Sequence, residues 1–215
     1  LEFRRFLFRS KDAQDLADKI NSHYPNSAKI IQANLDISSD VQRLVDESKL
    51  CFDSIDVLVN NASTFYPTPI DQVSEEHWDK LIGSNLKGPL FLIQGLKDKL
   101  IESRGSIVNI TDTNLSKGVA NFSIYASAKG GLESITKVLA RELAPEVNVN
   151  AIAPGAMLEP PDVTWTDEQK EKVIANIPLK KMGSEKDIAN TVKFVVSSKY
   201  MTGQIIKVDG GRSLS

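Results

Sequence analysis

Short apolar runs rich in β-branched residues recur along the chain at Ala28–Ala33, Ile55–Asn60, Gly105–Ile110, Val147–Ile152 and Gln204–Val208. Each is nearly continuous in apolar character rather than alternating, the pattern of a strand covered on both faces in a parallel sheet. Phe6–Phe8 reads as one more short strand near the start. Segments of helical period lie between the runs. Ser10 is placed to cap a helix over Lys11–Ser22, with Leu16 and Ile20 on one face. Ser74 precedes Glu75 and Glu76, acids that suit the positive end of a helix. Ser123–Leu143 reads as a helix with Leu132, Ile135, Leu139 and Leu143 toward a core, and Ser184 with Asp187 forms a capping-box pattern ahead of Ile188, Val192, Val195 and Val196. Strand and helix in strict succession predict an α/β fold, a doubly wound, Rossmann-like parallel sheet in three layers, with residues 1–215 as a single domain.

In such sheets ligands bind beyond the carboxyl ends of the strands. The residues that follow the runs are polar or turn-forming: Asn34, then Asn60-Asn61-Ala62-Ser63, Thr111-Asp112 and Pro154-Gly155. Just beyond Asp112, Tyr125 and Lys129 stand at i and i+4, which puts them on one face of the helix that starts at Ser123. A free phenol has a pKa of about 10, too high for efficient proton transfer at neutral pH. A neighbouring ammonium would lower it and make a better acid–base group.

Composition removes other classes. The 215 residues include 41% hydrophobic and 25% charged positions with a formal net charge of −2, so no basic surface points to nucleic acid. Two histidines and one cysteine make no zinc pattern and allow no intrachain disulfide, and no metal is expected. No apolar run approaches the roughly 18 residues that span a bilayer, and no signal peptide is visible, so a cytoplasmic location is expected. The glycosylation sequons at Asn61, Asn109 and Asn121 are read as chance, two of them lying at strand ends.

Asn60-Asn61-Ala62, Asn85, the strand Ile107–Ile110, Tyr125-x-x-x-Lys129, Pro154-Gly155 and the tail Thr202–Gly211 recur in this order and spacing in the short-chain dehydrogenase/reductase family, which the chain resembles from about Phe6 onward. The resemblance implies a nicotinamide-dependent oxidoreductase with Tyr125 as proton donor. It implies that Lys129 holds the nicotinamide ribose and tunes the tyrosine, that Asn85 supports a proton-relay water, and that Asn61, Ala62, Ser63, Pro154 and Gly155 contact the cofactor. Arg9 and Ser10, at the end of the expected Phe6–Phe8 strand, would cradle the 2′-phosphate of NADPH, since an arginine binds phosphate bidentately and a helix start adds amide donors. Asn34, with Leu35 beside it, stands where the family usually has an aspartate against the adenine amine, and an amide oxygen can still accept that bond. A homotetramer through helices that include the one carrying Tyr125, Gly130 and Gly131 is implied as well.

Two departures narrow the resemblance. Most members of the family carry a serine thirteen residues before the tyrosine, where this chain has Asp112, and the block Asn61–Ile70 replaces the usual Asn-Asn-Ala-Gly continuation. Both resemble the pteridine reductase branch. A pterin presents an exocyclic amine and ring nitrogens, and a carboxylate can accept from the amine or help deliver a proton. Phe65 offers a flat apolar face for the ring, Tyr66 could serve if the loop turns differently, and Ser63 is the expected polar contact. The expected substrate is therefore a dihydropterin or folate. A 3-oxoacyl or other carbonyl reductase, and a non-catalytic binding or regulatory protein, remain the alternatives. The segment Pro160–Lys172 is the expected substrate-covering loop and helix. The family's opening strand and glycine-rich T-G-x-x-x-G-x-G turn have no counterpart, so the chain is expected to be an N-terminally truncated form that lacks the first βα unit.

Overall fold

The computed structural model describes residues 2–157 and 165–214, with side chains from Lys11 onward. The elements run α1 (Glu2–His23), α2 (Ser38–Lys49), β1 (Val57–Asn60), α3 (Glu75–Ile82), α4 (Gly88–Glu102), β2 (Ser106–Ile110), α5 (Ser123–Glu142), β3 (Asn148–Pro154), α6 (Asp167–Ala175), α7 (Glu185–Ser197) and β4 (Ile205–Val208). The four strands form one parallel sheet in the order β1-β2-β3-β4. Ile107 pairs with Val149, and the cluster around them takes Leu92, Leu96 and Leu100 of α4, Leu143 after α5, and Val41 and Val45 of α2. Val108, Ile110 and Ile152 point the other way and pack on Val195 of α7. Alternating side chains of one sheet thus feed two separate cores, and helices cover both faces as the apolar runs predict.

The caps follow the sequence pattern. The Ser74 side chain accepts from the His77 amide, and Ser184 with Asp187 closes a complete capping box. Two expectations at the front are corrected. Phe6–Phe8 is not a strand, and Ser10 is not a cap: both lie inside α1, which starts at Glu2. Ala28–Ala33 is not a strand either. A strand exists only where a neighbour takes its backbone groups, and no fifth strand pairs with this sheet among the described residues. The segment is held by side chains instead: the Ala28 amide donates to Asn21 Oδ1 (2.9 Å), Arg43 donates to the Gln32 carbonyl (2.6 Å) and the Asn34 amide donates to Asp40 Oδ2 (2.8 Å). The outer edge of β1 carries no partner strand among the described residues, and Val57 and Val59 remain partly exposed.

Where β1, β2 and β3 approach their carboxyl ends, the face toward α5 turns polar. Asn60, Asn109 and Ala151 lie in register across three strands. Asn60 Nδ2 donates to Asn109 Oδ1 (2.8 Å), Asn109 Nδ2 to Thr136 Oγ1 (2.9 Å), and Thr136 to the Leu132 carbonyl (2.7 Å). All three side chains are buried. Such bonds are directional where methyl packing is not, so the ladder fixes the rotation of α5 against the strand ends that carry the site.

Candidate active site

β2 ends at Ile110, and Asp112 follows as the cap of the short 3-10 turn Thr113–Ser116. Its Oδ1 accepts from the Asn114 amide (2.7 Å), while Oδ2 accepts from the Tyr125 hydroxyl (3.1 Å). One carboxylate oxygen of Asp112 thus caps the turn and the other meets the phenol. Tyr125 stands in the first turns of α5, buried at 8% exposure against Leu81 and Ile124.

Burial drives the phenol pKa well above its ordinary value, and the charge of Asp112 and its hydrogen bond add to the rise, while Ser63 works in the opposite direction. The expectation that Lys129 lowers the phenol is not what this arrangement provides. Lys129 Nζ donates to the Ile110 carbonyl (2.8 Å) and lies 5.9 Å from the centre of the tyrosine ring. Burial also depresses the lysine, to about 8, against a smaller opposing pull from Asp112. In the unfolded chain the same amine titrates at about 10.4. Across that window the unfolded chain holds a proton that the folded chain has lost, so stability rises with pH, by on the order of 3 kcal/mol over the whole interval. Below it the cost of the buried ammonium is fully present. Urea unfolding of wild type at about pH 7.5 and about pH 9.5 should show this gain, and Lys129→Met should remove most of the slope.

Asn85 is fully buried in a π-helical segment, Gly83–Lys87, between α3 and α4. The Gly88 amide bonds to the Gly83 carbonyl, one residue beyond its ordinary helical partner, and Pro89 has no amide to give to the Asn85 carbonyl. The bulge aims the Asn85 amide at the loop after β1: Nδ2 donates to the Thr64 carbonyl (2.9 Å) and Oδ1 accepts from Ser63 (2.6 Å). Ser63 is thereby held beside the phenol.

Asn61 and Ala62 are exposed at the end of β1, and Pro154 and Gly155 are half-buried at the end of β3, so four of the expected cofactor contacts border the same carboxyl ends as Tyr125 and Lys129. Asn34 engages its own turn, with Oδ1 accepting from the Asp36 amide (3.2 Å), and it borders a cleft of about 370 Å³ lined by Ile30–Asn34, Asp40, Arg43 and Glu47. Leu35 packs instead on Gly88 at the start of α4. The backbone of Arg9 and Ser10 is helical, and their side chains lie outside the described residues. So does the first part of the expected covering segment Pro160–Lys172, residues 160–164. Its continuation forms α6, with a complete Thr166–Gln169 capping box.

Phe65 is 45% exposed beside the tyrosine. It stacks on Phe122 at 4.6 Å between centroids and 11° between planes, and meets Tyr125 edge to face at 4.8 Å. Phe122 is absent from the residues expected at the site. Its signal was an aromatic three residues before Tyr125, at a spacing that shares a helix face. Thr111 is a second addition, its hydroxyl placed between Glu133 Oε1 (3.2 Å) and the Ile152 carbonyl (3.3 Å), where it anchors the backbone that presents Asp112.

A family model described as enoyl-(acyl carrier protein) reductase matches residues 6–213. The chain is 38% identical over 185 residues to 3-oxoacyl-(acyl-carrier-protein) reductase FabG of Staphylococcus epidermidis, covering 84% of this chain and 76% of that protein. It is 34% identical to pteridine reductase 1 of Leishmania tarentolae, covering 95% and 84% respectively. A solved structure of an apo SCOR enzyme from Clostridium thermocellum superposes with a TM-score of 0.78 at 34% identity, covering 86% of this chain and 73% of that one. Among the described residues no helix is long and apolar enough to cross a membrane. With its parallel sheet, its Tyr125/Lys129 helix and these relatives, the chain belongs to the short-chain dehydrogenase/reductase family of oxidoreductases.

Proposed function

We propose that this protein is an NADPH-dependent reductase of a dihydropterin or folate, with Tyr125 as proton donor. The observation that carries the reading is the Tyr125 hydroxyl on Asp112 Oδ2 at 3.1 Å, beside the partly exposed Phe65 ring. Ser63, Phe65, Asp112 and Tyr125 form the substrate side. Asn61, Ala62, Ser63, Pro154, Gly155 and Lys129 would hold the cofactor, with Arg9, Ser10, Asn34 and Leu35 toward its adenosine half. Lys129 fits such a role: an ammonium has three donors and the Ile110 carbonyl takes one, so two are left for ribose hydroxyls. Reduced nicotinamide supplies the hydride when bound.

The chain's own residues manage the proton. Burial and Asp112 keep the phenol protonated at working pH. A substrate amine that donates to the Asp112 carboxylate offsets its charge, and the part of the phenol's high pKa that comes from Asp112 is then relieved. The phenol becomes a better acid only when substrate is in place, and it delivers its proton to a ring nitrogen while hydride adds to the adjacent carbon. Ser63, once its hydroxyl proton turns from Asn85 Oδ1 to the phenolate, stabilises the charge left behind, and Asn85 acts as a positioning residue for Ser63. A homotetramer is part of the same reading.

A 38% identical 3-oxoacyl reductase favours a second reading, in which the substrate is a ketone. Initial rates of NADPH oxidation with a dihydropterin, dihydrofolate and a 3-oxoacyl thioester separate the two. The pterin reading expects the first two to exceed the thioester in kcat/KM by at least about 100-fold, the scale of about 2.7 kcal/mol of differential binding. Preference for the thioester would replace it. No turnover, together with no micromolar NADPH binding by calorimetry, would leave a non-catalytic binding protein.

A further inference from the structure

The carboxyl ends of the strands also receive the chain's last turn. Asp209 follows β4 directly, and its carboxylate accepts from the Gly211 amide (2.9 Å) and the Ser213 amide (2.8 Å). Burial alone would raise this carboxyl's pKa, but these amides, the Ser213 side chain and Lys207 outweigh it, and the group is held below the usual carboxylate range. Gly210 and Gly211 take φ values of +63° and +86°, conformations that side-chain-bearing residues rarely adopt. The turn is seated from one side by the Leu179 amide, which donates to the Gly210 carbonyl (3.1 Å), and by the Pro178 ring against Gly211.

On its other side the turn meets the candidate site twice. The Gly155 amide donates to the Val208 carbonyl (2.9 Å), and a Cβ at position 155 would lie 2.6 Å from Asp209 Cα and Cβ. Gly155 is therefore pressed directly on Asp209, with no room for a side chain between them. Beyond Asp209 the chain forms the 3-10 turn Arg212–Leu214, which lies beside Thr113–Ser116, the turn that Asp112 caps. Thr113 also donates to the Pro154 carbonyl (3.1 Å), which joins the two contacts to each other.

We propose that Asp209 is a positioning residue of the site: its carboxylate folds the C-terminal turn into a brace that sets Pro154–Gly155 and the Asp112 turn relative to one another. The brace rests on the reading of Pro154 and Gly155 as cofactor contacts for its effect on NADPH, and on geometry alone for its effect on the two loops. A cap confined to its own turn would stiffen residues 209–214 and nothing else. A brace transmits its loss to both loops.

The test is amide hydrogen exchange and NADPH calorimetry on wild type, Asp209→Ala and Asp209→Asn. In Asp209→Ala, exchange at Gly155 and across residues 113–118 should quicken by about tenfold, and NADPH affinity should fall by about tenfold, equivalent to about 1.4 kcal/mol. Asp209→Asn keeps one acceptor oxygen and should lie between the two. Ser213→Pro deletes one donor while leaving the carboxylate, and it serves if Asp209→Ala does not fold. Faster exchange confined to residues 209–214, with unchanged NADPH affinity, would overturn the proposal. If wild type takes up no NADPH, the cofactor reading of Pro154–Gly155 falls, and exchange at residues 113–118 and 155 still decides the brace.

Discussion

Replacing Tyr125 with phenylalanine is expected to lower kcat for a dihydropterin by about 10²–10⁴-fold, the usual contribution of a positioned general acid. The substitution removes one oxygen and leaves the ring. Phenylalanine can keep the edge contact with Phe65 at 4.8 Å and the buried place against Leu81 and Ile124. What disappears is the hydroxyl on Asp112 and the proton that the proposed mechanism delivers. Loss of one charge-assisted hydrogen bond of about 1.5–3 kcal/mol should move the thermal midpoint by about 3–12 °C. A large fall in kcat with the fold retained is therefore the expected signature. Turnover within a few-fold of wild type would remove Tyr125 from the mechanism.

Asp112→Ser carries the second large effect, and it bears on substrate rather than on the reaction. Serine can still cap the turn at Asn114, because its hydroxyl accepts from a backbone amide two residues on. It brings no charge, so a pterin amine loses a charge-assisted bond worth about 1.5–3 kcal/mol, or about 10–100-fold in kcat/KM. The same change removes the two contributions by which Asp112 raises the phenol, leaving burial as the main one. The alkaline limb of the pH–rate profile should then move to lower pH, since the phenol ionises sooner without a neighbouring negative charge. Ketone substrates should gain or hold their rates, because a hydroxyl can donate to a carbonyl oxygen and a carboxylate cannot. Equal losses on both substrate classes would show that Asp112 serves the tyrosine alone and does not select the substrate.

Most of the candidate site could be proposed from the sequence, through polar residues that fall at the ends of apolar runs together with the resemblance to the short-chain dehydrogenase/reductase family. Asp112, Tyr125, Lys129, Ser63 and Pro154-Gly155 each stand just past a continuous apolar run or at the start of a helix, where side chains are not needed for the core. Asn85 came from the resemblance to the short-chain dehydrogenase/reductase family, and Phe65 from the resemblance to its pteridine reductase branch. Phe122 did not, because its spacing of three from Tyr125 is a weak mark by itself and its stacking partner lies 57 positions earlier in the chain. Asp209 was visible only as part of a glycine-bearing tail. Its importance rests on Gly155 approaching it from another strand.

The chain's own pattern was enough for the alternation of strand and helix, the two-faced cover of the sheet, the serine caps and the residues gathered at the strand ends. These depend on the spacing of apolar side chains and on local amide capping, both of which are written in consecutive residues. Tertiary structure alone decided that Phe6–Phe8 is helical and that Ala28–Ala33 is not a strand, because a strand is a relation between two segments and not a property of one. It also decided the state of the chemical groups. Tyr125 is held protonated by burial and by Asp112, and Lys129 donates to a backbone carbonyl with its ammonium 5.9 Å from the centre of the tyrosine ring. Proton affinity is set by what surrounds a group in space, and those surroundings come from β2, α3, α5 and the loop after β1 together.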